Sequence, residues 1–283
     1  MVEQILILGG DNRSLYLGEY LENEGFKVCY FAFNGTDCFD NLRDAFTEVD
    51  AVILPLPLTK DRVTLNTPLF DEKVLLSDIL ALAVPNQIFF GGKLPTSFCE
   101  ELDSKGSKYY DYFLLPELSI YNAVPTAEGV LGILINETPI TIRNMKCGIL
   151  GYGKVGKALA DSLKSNGANV TVFARNESDL ATVYSKNMGA EKFSALSECQ
   201  HNFDVLINTV PTKVLGKTEL SKINNDCLLL EIASAPFGID FQGAKELAFN
   251  VIKAGSLPGK VAPKTAGMII GKSILPMIRG ENE

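Results

Sequence analysis

The chain has 283 residues and a single histidine, His201. Imidazole relays, and nucleophile schemes that pair serine or cysteine with histidine, thus have one position to draw on. It lies in the polar stretch SECQHNFD just before an apolar run, where it reads as a surface histidine at the end of a sheet opposite to any ligand. Cysteine is also sparse. Cys29, Cys38, Cys99, Cys147, Cys199 and Cys227 are scattered, with no C-x-x-C pair and no histidine or cysteine at metal-ligand spacing. No metal site and no disulfide framework is expected, and reduced thiols, mostly buried as small hydrophobes, fit best. There is no apolar run of about 18 residues, and MVEQILILGG lacks a basic segment ahead of an apolar one, so a soluble cytoplasmic protein without membrane contact is expected. Basic residues are in the minority, 26 Lys and Arg against 34 Asp and Glu, for a net charge of -8. That excess argues against nucleic acid or an anionic membrane as partner.

What is present is core-forming sequence. Hydrophobic residues make up 46% of the chain and charged residues 21%, and the length corresponds to about two domains at roughly 150 residues each. Apolar runs alternate with amphipathic stretches in two series, the pattern of βα units around parallel sheets. The first has strands at Ile5 to Leu8, Lys27 to Phe33, Ala51 to Leu58, Gln87 to Phe90 and Tyr109 to Phe113, with a helix near Leu15 to Asn23 and another from Pro95 to Gly106. The second has strands at Lys146 to Leu150, Asn169 to Phe173, Phe203 to Asn208, Leu228 to Ile232 and Val251 to Ala254. The fold class is therefore α/β, with two Rossmann-like domains, each a parallel sheet covered by helices, and a cleft between them. The domains are expected at 1–122 and 123–283. A linker helix over about 125–137 opens at Pro125 and Thr126, and a C-terminal helix over about 263–278 is counted with the second domain, with the option of packing back on the first.

The sharpest motif is G-x-G-x-x-G at Gly151, Gly153 and Gly156, placed between a strand and a helix whose Val155, Ala158, Leu159, Ser162 and Leu163 share one face. The glycines serve a tight turn, close approach of backbone to a pyrophosphate, and close packing of helix on strand, and the helix N-terminus faces the anion. A dinucleotide site follows, with Lys154 and Val155 in the loop. At the end of the next strand, where an acid would meet the ribose of NAD, stand Arg175 and Asn176. An arginine there suits the 2′-phosphate of NADP, so NADP is expected ahead of NAD. Thr209, Val210 and Pro211 of NTVP, and Ala233 of EIASAPFG, follow later strands at their carboxyl ends and are expected to line the nicotinamide side.

Cations gather in turns at strand ends: Arg13 after the first strand, Lys93 after FFGG, Lys260 and Lys264 in LPGKVAPKTAG. With Thr126 and Thr265 they are the candidate substrate contacts, and on an acidic chain they suggest a small anionic molecule. No general acid or base is assigned. Glu128 and Thr126 are the catalytic candidates, Glu128 having the alternative of a helix first-turn carboxylate.

The runs ILGGDNR, YDYF, NAVPTAEG, GILGYGKVG, NTVP, EIASAPFGIDF and LPGKVAPKTAG, in this order, resemble the A-subunit family of dipicolinate synthase from spore-forming bacteria over essentially the whole chain. The resemblance implies an enzyme of the sporulating mother cell. It would oxidise a dihydrodipicolinate unit from the lysine (diaminopimelate) pathway to dipicolinate, with reduction of NADP, beside the flavoprotein-like B subunit of dipicolinate synthase. It implies a small dicarboxylate substrate and is compatible with a homo-oligomer. Two positions depart from the family pattern: Lys154, where arginine is frequent, and Phe237, where a glycine is common. The alternatives are another NAD(P)-dependent oxidoreductase of the 2-hydroxyacid or shikimate dehydrogenase type, and a non-catalytic NADP-binding subunit.

Overall fold

Short runs such as Gln4–Leu8 bury both faces of an extended chain, and that is how strands of parallel sheets read. In the computed structural model, which describes residues 2–36, 38–47 and 49–281, they do so in two units. The chain divides into Met1–Asn122 with Ala262–Glu283, and Ala123–Val261.

The first unit holds β1 (Gln4–Leu8), β2 (Lys27–Phe31), β3 (Ala51–Ile53), β4 (Ile88–Gly91) and β5 (Lys108–Asp111), all parallel, in the order β2-β1-β3-β4-β5. Ile5 and Ile7 face a core shared with Leu17, Leu21, Ile270 and Ile274, whereas Leu6 and Leu8 face one shared with Val52, Phe89 and Leu102. The third strand is shorter than its apolar sequence suggests. It ends at Ile53 because Pro55 and Pro57 bring no N–H to a ladder. The fifth ends at Asp111, followed by a 3-10 turn, Tyr112–Leu114, in which the Tyr112 hydroxyl donates to the Leu54 carbonyl at 2.9 Å.

The second unit holds β6 (Lys146–Leu150), β7 (Asn169–Ala174), β8 (Gly189–Lys192), β9 (Val205–Asn208), β10 (Leu228–Glu231) and β11 (Val251–Lys253), in the order β11-β10-β9-β6-β7-β8. This is the doubly wound arrangement, with its switch point between β6 and β9. β8, GAEK, carries no apolar signal and is held by pairing with β7 at the sheet edge.

Two expectations need correction. Pro125 does not open a helix: it lies inside a continuous one, Pro116–Glu137, which Pro116 opens. Leu118 is buried in the first unit's core, and Ala127, Val130 and Leu134 in the second's, so burial along the helix outweighs the hydrogen bond that Pro125 cannot give. This is the one helix among the described residues long and apolar enough to cross a membrane by length and composition. The C-terminal helix, Pro263–Ile278, is not part of the second unit, with which the sequence reading counts it: it belongs to the first, which is the packing-back option. Gly267 and Gly271 let it approach helix Asn12–Asn23 so closely that a Cβ on Gly267 would stand 2.9 Å from the Leu17 nitrogen and one on Gly271 would overlap the Tyr20 ring.

Candidate functional site

The turn from β6 into helix Lys154–Ser165 is made almost without side chains. Gly151 has φ +100° and donates its N–H to the Phe173 carbonyl at 2.9 Å, and a Cβ on it would stand 2.6 Å from Val210 Cγ2. Gly156 is packed so tightly that a Cβ would overlap the Gly151 carbonyl oxygen. Gly153 differs from both. Nothing lies within 4 Å of where its Cβ would be, and as the N-cap it leaves the helix without a side-chain cap. A helix N-terminus with uncapped first-turn amides and clear space before it fits a dinucleotide pyrophosphate. Lys154 is exposed and Val155 half-buried at this point.

Across the switch point, Thr209 ties the end of β9 to β6: its Oγ1 donates to the Leu150 carbonyl at 2.8 Å. One residue earlier, fully buried Asn208 donates from Nδ2 to Glu231 Oε1 at 2.7 Å and to the Val210 carbonyl at 2.9 Å. Glu231, also fully buried, accepts from the backbone N–H of Ala233 at 3.0 Å, Gly238 at 2.9 Å and Ile239 at 3.0 Å. The pair locks the NTVP turn and the loop after β10 into one piece, which carries Thr209, Val210 and Ala233, with exposed Pro211 next to them. Reading by sequence missed this pair. Its only signal is that a carboxylate closes the apolar strand LLLE, and a charge in such a place needs donors. Phe237 sits at φ +68°, in the left-handed region where glycine is at ease, with the Lys253 ammonium 3.8 Å from its ring centroid.

Arg175 follows β7. Exposed, and making no ion pair or hydrogen bond with the described residues, it lines a concavity of about 400 Å³ together with Ser194, Val210, Thr212, Lys213 and Glu219. Asn176 instead is the N-cap residue of helix Glu177–Ser185, its Nδ2 3.4 Å from Asp179 Oδ2.

The substrate candidates are divided between the units. In the first, Arg13 is already engaged. Its Nε and Nη2 fork onto the Asp11 carboxylate at 2.9 Å each, and Nη2 also donates to the Leu56 carbonyl at 2.6 Å, so this arginine ties the turn after β1 to the chain leaving β3. Lys264 is 3.7 Å from Glu19 Oε1, and Thr265 beside it is exposed. Lys93 has no ion pair among the described residues, and its ammonium lies 4.6 Å from the Phe113 ring centroid. Its loop is held by Asp111, which accepts from the backbone N–H of Lys93, Leu94 and Phe113. In the second unit Lys260 is exposed and unpaired among the described residues, and Thr126 is half-buried. Glu128 is exposed in the middle of helix Pro116–Glu137, so the first-turn alternative for it does not hold. His201 is half-buried rather than on the surface: its ring stacks on Phe203 at 5.6 Å and Nε2 lies 2.8 Å from the Ala195 carbonyl, a packing role.

These features define a class first. The second unit is a nucleotide-binding domain of dehydrogenase type, and residues 135–237 match the NAD-binding domain family of the D-isomer specific 2-hydroxyacid dehydrogenases. Its cofactor is a nicotinamide dinucleotide. Residues 4–113 match the N-terminal domain family of the dipicolinate synthase A subunit. The A subunit of dipicolinate synthase from Bacillus subtilis (strain 168) is 30% identical over 97% of this chain and 95% of its own. The crystal structure of the Bacillus halodurans A subunit superposes with a TM-score of 0.87 at 26% identity, covering 98% of this chain and 97% of that one. That of the Bacillus subtilis protein gives 0.86 at 30%, covering 100% and 98%. The chain belongs to the A-subunit family of dipicolinate synthase.

Proposed function

We propose that this chain oxidises dihydrodipicolinate to dipicolinate with reduction of NADP, working beside the flavoprotein-like B subunit in the cytoplasm of a sporulating mother cell. The observation that carries the reading is relatedness over nearly the whole chain to the dipicolinate synthase A subunit, combined with a glycine turn fit for a dinucleotide. When bound, the nicotinamide supplies the hydride acceptor. The residues proposed to hold the dinucleotide are Gly151, Gly153, Lys154, Val155 and Gly156 at the pyrophosphate, Arg175 and Asn176 at the adenosine ribose, and Thr209, Val210, Pro211 and Ala233 along the rest. Of the substrate candidates, Lys93 and Lys260 are the cations without an acidic partner among the described residues, and each is proposed as a carboxylate contact. Lys264, Thr126 and Thr265 are proposed as weaker contacts, while Arg13, forked on Asp11, has a structural role. Aromatisation of the ring favours the oxidation, so little is asked of a general base, and Glu128 and Thr126 stay as candidates.

The test is to generate dihydrodipicolinate in situ and follow NADPH and dipicolinate together, with this chain alone and with the B subunit added. Both products in stoichiometric amount support the reading, and NADP binding without product in either mixture rejects it. A second reading, oxidation of a 2-hydroxyacid, is favoured by the domain match at 135–237. Against it stands the packed position of the one histidine. Substituting R175D should lower NADP affinity by at least about tenfold and shift preference toward NAD, as a charge-assisted fork is replaced by repulsion. Cofactor titration of both forms decides it.

A further inference from the structure

Around Arg175 the concavity is built more fully than one arginine requires. Its wall brings together a guanidinium unpaired among the described residues, the hydroxyl residues Ser194 and Thr212, and a second cation, Lys213, carried by the segment after β9. Val210 and Val214 add an apolar patch. The one carboxylate on the wall, Glu219, is engaged elsewhere, its Oε2 accepting from the Gly216 N–H at 2.9 Å. Lys213 is held only at the surface: Nζ meets Asp240 Oδ2 at 2.9 Å, and the side chain is 68% exposed. Asp240 does not depend on that lysine, since it also caps helix Phe241–Glu246 through the Gly243 N–H at 3.1 Å. An exposed ion pair of this kind is worth little and can be exchanged for a better anion.

We propose that this concavity is a phosphomonoester subsite in which Lys213 is the second specificity-determining residue, joining Arg175 on the 2′-phosphate of the adenosine moiety, with Ser194 and Thr212 as neutral donors. The inference rests on the NADP reading and deepens it. Two cations on separate segments, one after β7 and one after β9, grip a dianion from two sides. A ribose that carries only a hydroxyl gives Lys213 no reason to leave Asp240.

The test uses the full chain and two fragment probes, 2′,5′-ADP and 5′-AMP, with affinities from calorimetry. Wild type binds 2′,5′-ADP at least about tenfold tighter than 5′-AMP. K213A reduces that ratio about fivefold and leaves 5′-AMP binding unchanged, as expected for one exposed charge-assisted contact. D240N frees Lys213 while keeping a helix cap, so it holds or raises the ratio. An unchanged ratio in K213A overturns the proposal, and so does a loss in D240N equal to that in K213A, because then the pair acts only structurally. If wild type does not tell the two probes apart, the NADP reading falls and this one with it. If R175D abolishes the ratio and K213A does not touch it, the NADP reading stands and only the role of Lys213 is lost.

Discussion

Glu231 shows how much one side chain decides. Its carboxylate has no exposure and four N–H partners, from Asn208, Ala233, Gly238 and Ile239. Replacing it by alanine strands those donors in a dry place, and E231A should lose about 3–5 kcal/mol of stability in urea unfolding. N208A removes one of the donors with its own amide and should cost less, about 1–3 kcal/mol. At Phe237 two effects oppose each other. Glycine would relieve the left-handed backbone but lose the ring under Lys253, each worth about 1 kcal/mol, so F237G should change the unfolding midpoint little. At this scale the sequence was legible where backbone geometry demands a residue type, as at Gly151, Gly153 and Gly156. It was opaque where a polar side chain meets partners distant in sequence, as with Asn208 and Glu231, or with Arg13, which reads as a free cation until Asp11 and Leu56 are seen around it.

Among the elements, the pairing of helix Pro263–Ile278 with helix Asn12–Asn23 depends on two missing side chains. A bulky residue at Gly267 would push into the carbonyl of Arg13 and the nitrogen of Leu17, backbone atoms that cannot step aside. G267V should destabilise by about 1–3 kcal/mol or more and lower the first thermal transition, read by circular dichroism. Gly255, with nothing within 4 Å, is the control site whose alanine variant should behave as wild type. The helix itself was plain from its apolar side and its opening proline, but no local pattern tells which sheet it covers. The same limit applies to Pro125, which by local rules starts a helix and in the fold sits in the middle of one.

Across both units of the molecule, burial keeps thiol and phenol side chains neutral. Burial pushes the thiols of Cys147 and Cys227 up to about 12, and the phenol of Tyr112 is raised as well. A folded-state pKa above the unfolded one gives stability that is full below the unfolded value and is lost as pH rises through the folded one. For the two thiols the window runs from about 9 to about 12. Each group should then remove about 1.4 kcal/mol per pH unit across it. Urea midpoints at pH 8 and 10.5 should fall with pH in wild type, and the C147A/C227A variant should show a shallower fall. At pH 8 an alkylating reagent should reach exposed Cys38 and Cys199 and spare these two until unfolding. The βα alternation made both sheets visible in sequence, and the glycine motif told which carries the dinucleotide. Strand order, and the edge strand GAEK, follow from pairing that no local stretch encodes.

The first unit is closed by residues from both ends of the chain, and this sets an order on its making. Residues Ala123–Val261 form a unit from one continuous segment, while Ile5, Ile7, Leu17 and Leu21 share their core with Ile270, Ile274 and Ile278, which leave the ribosome much later. The part synthesised first is thus finished last. In the interval its uncovered face is where a chaperone would hold, and where a stalled or shortened chain would aggregate.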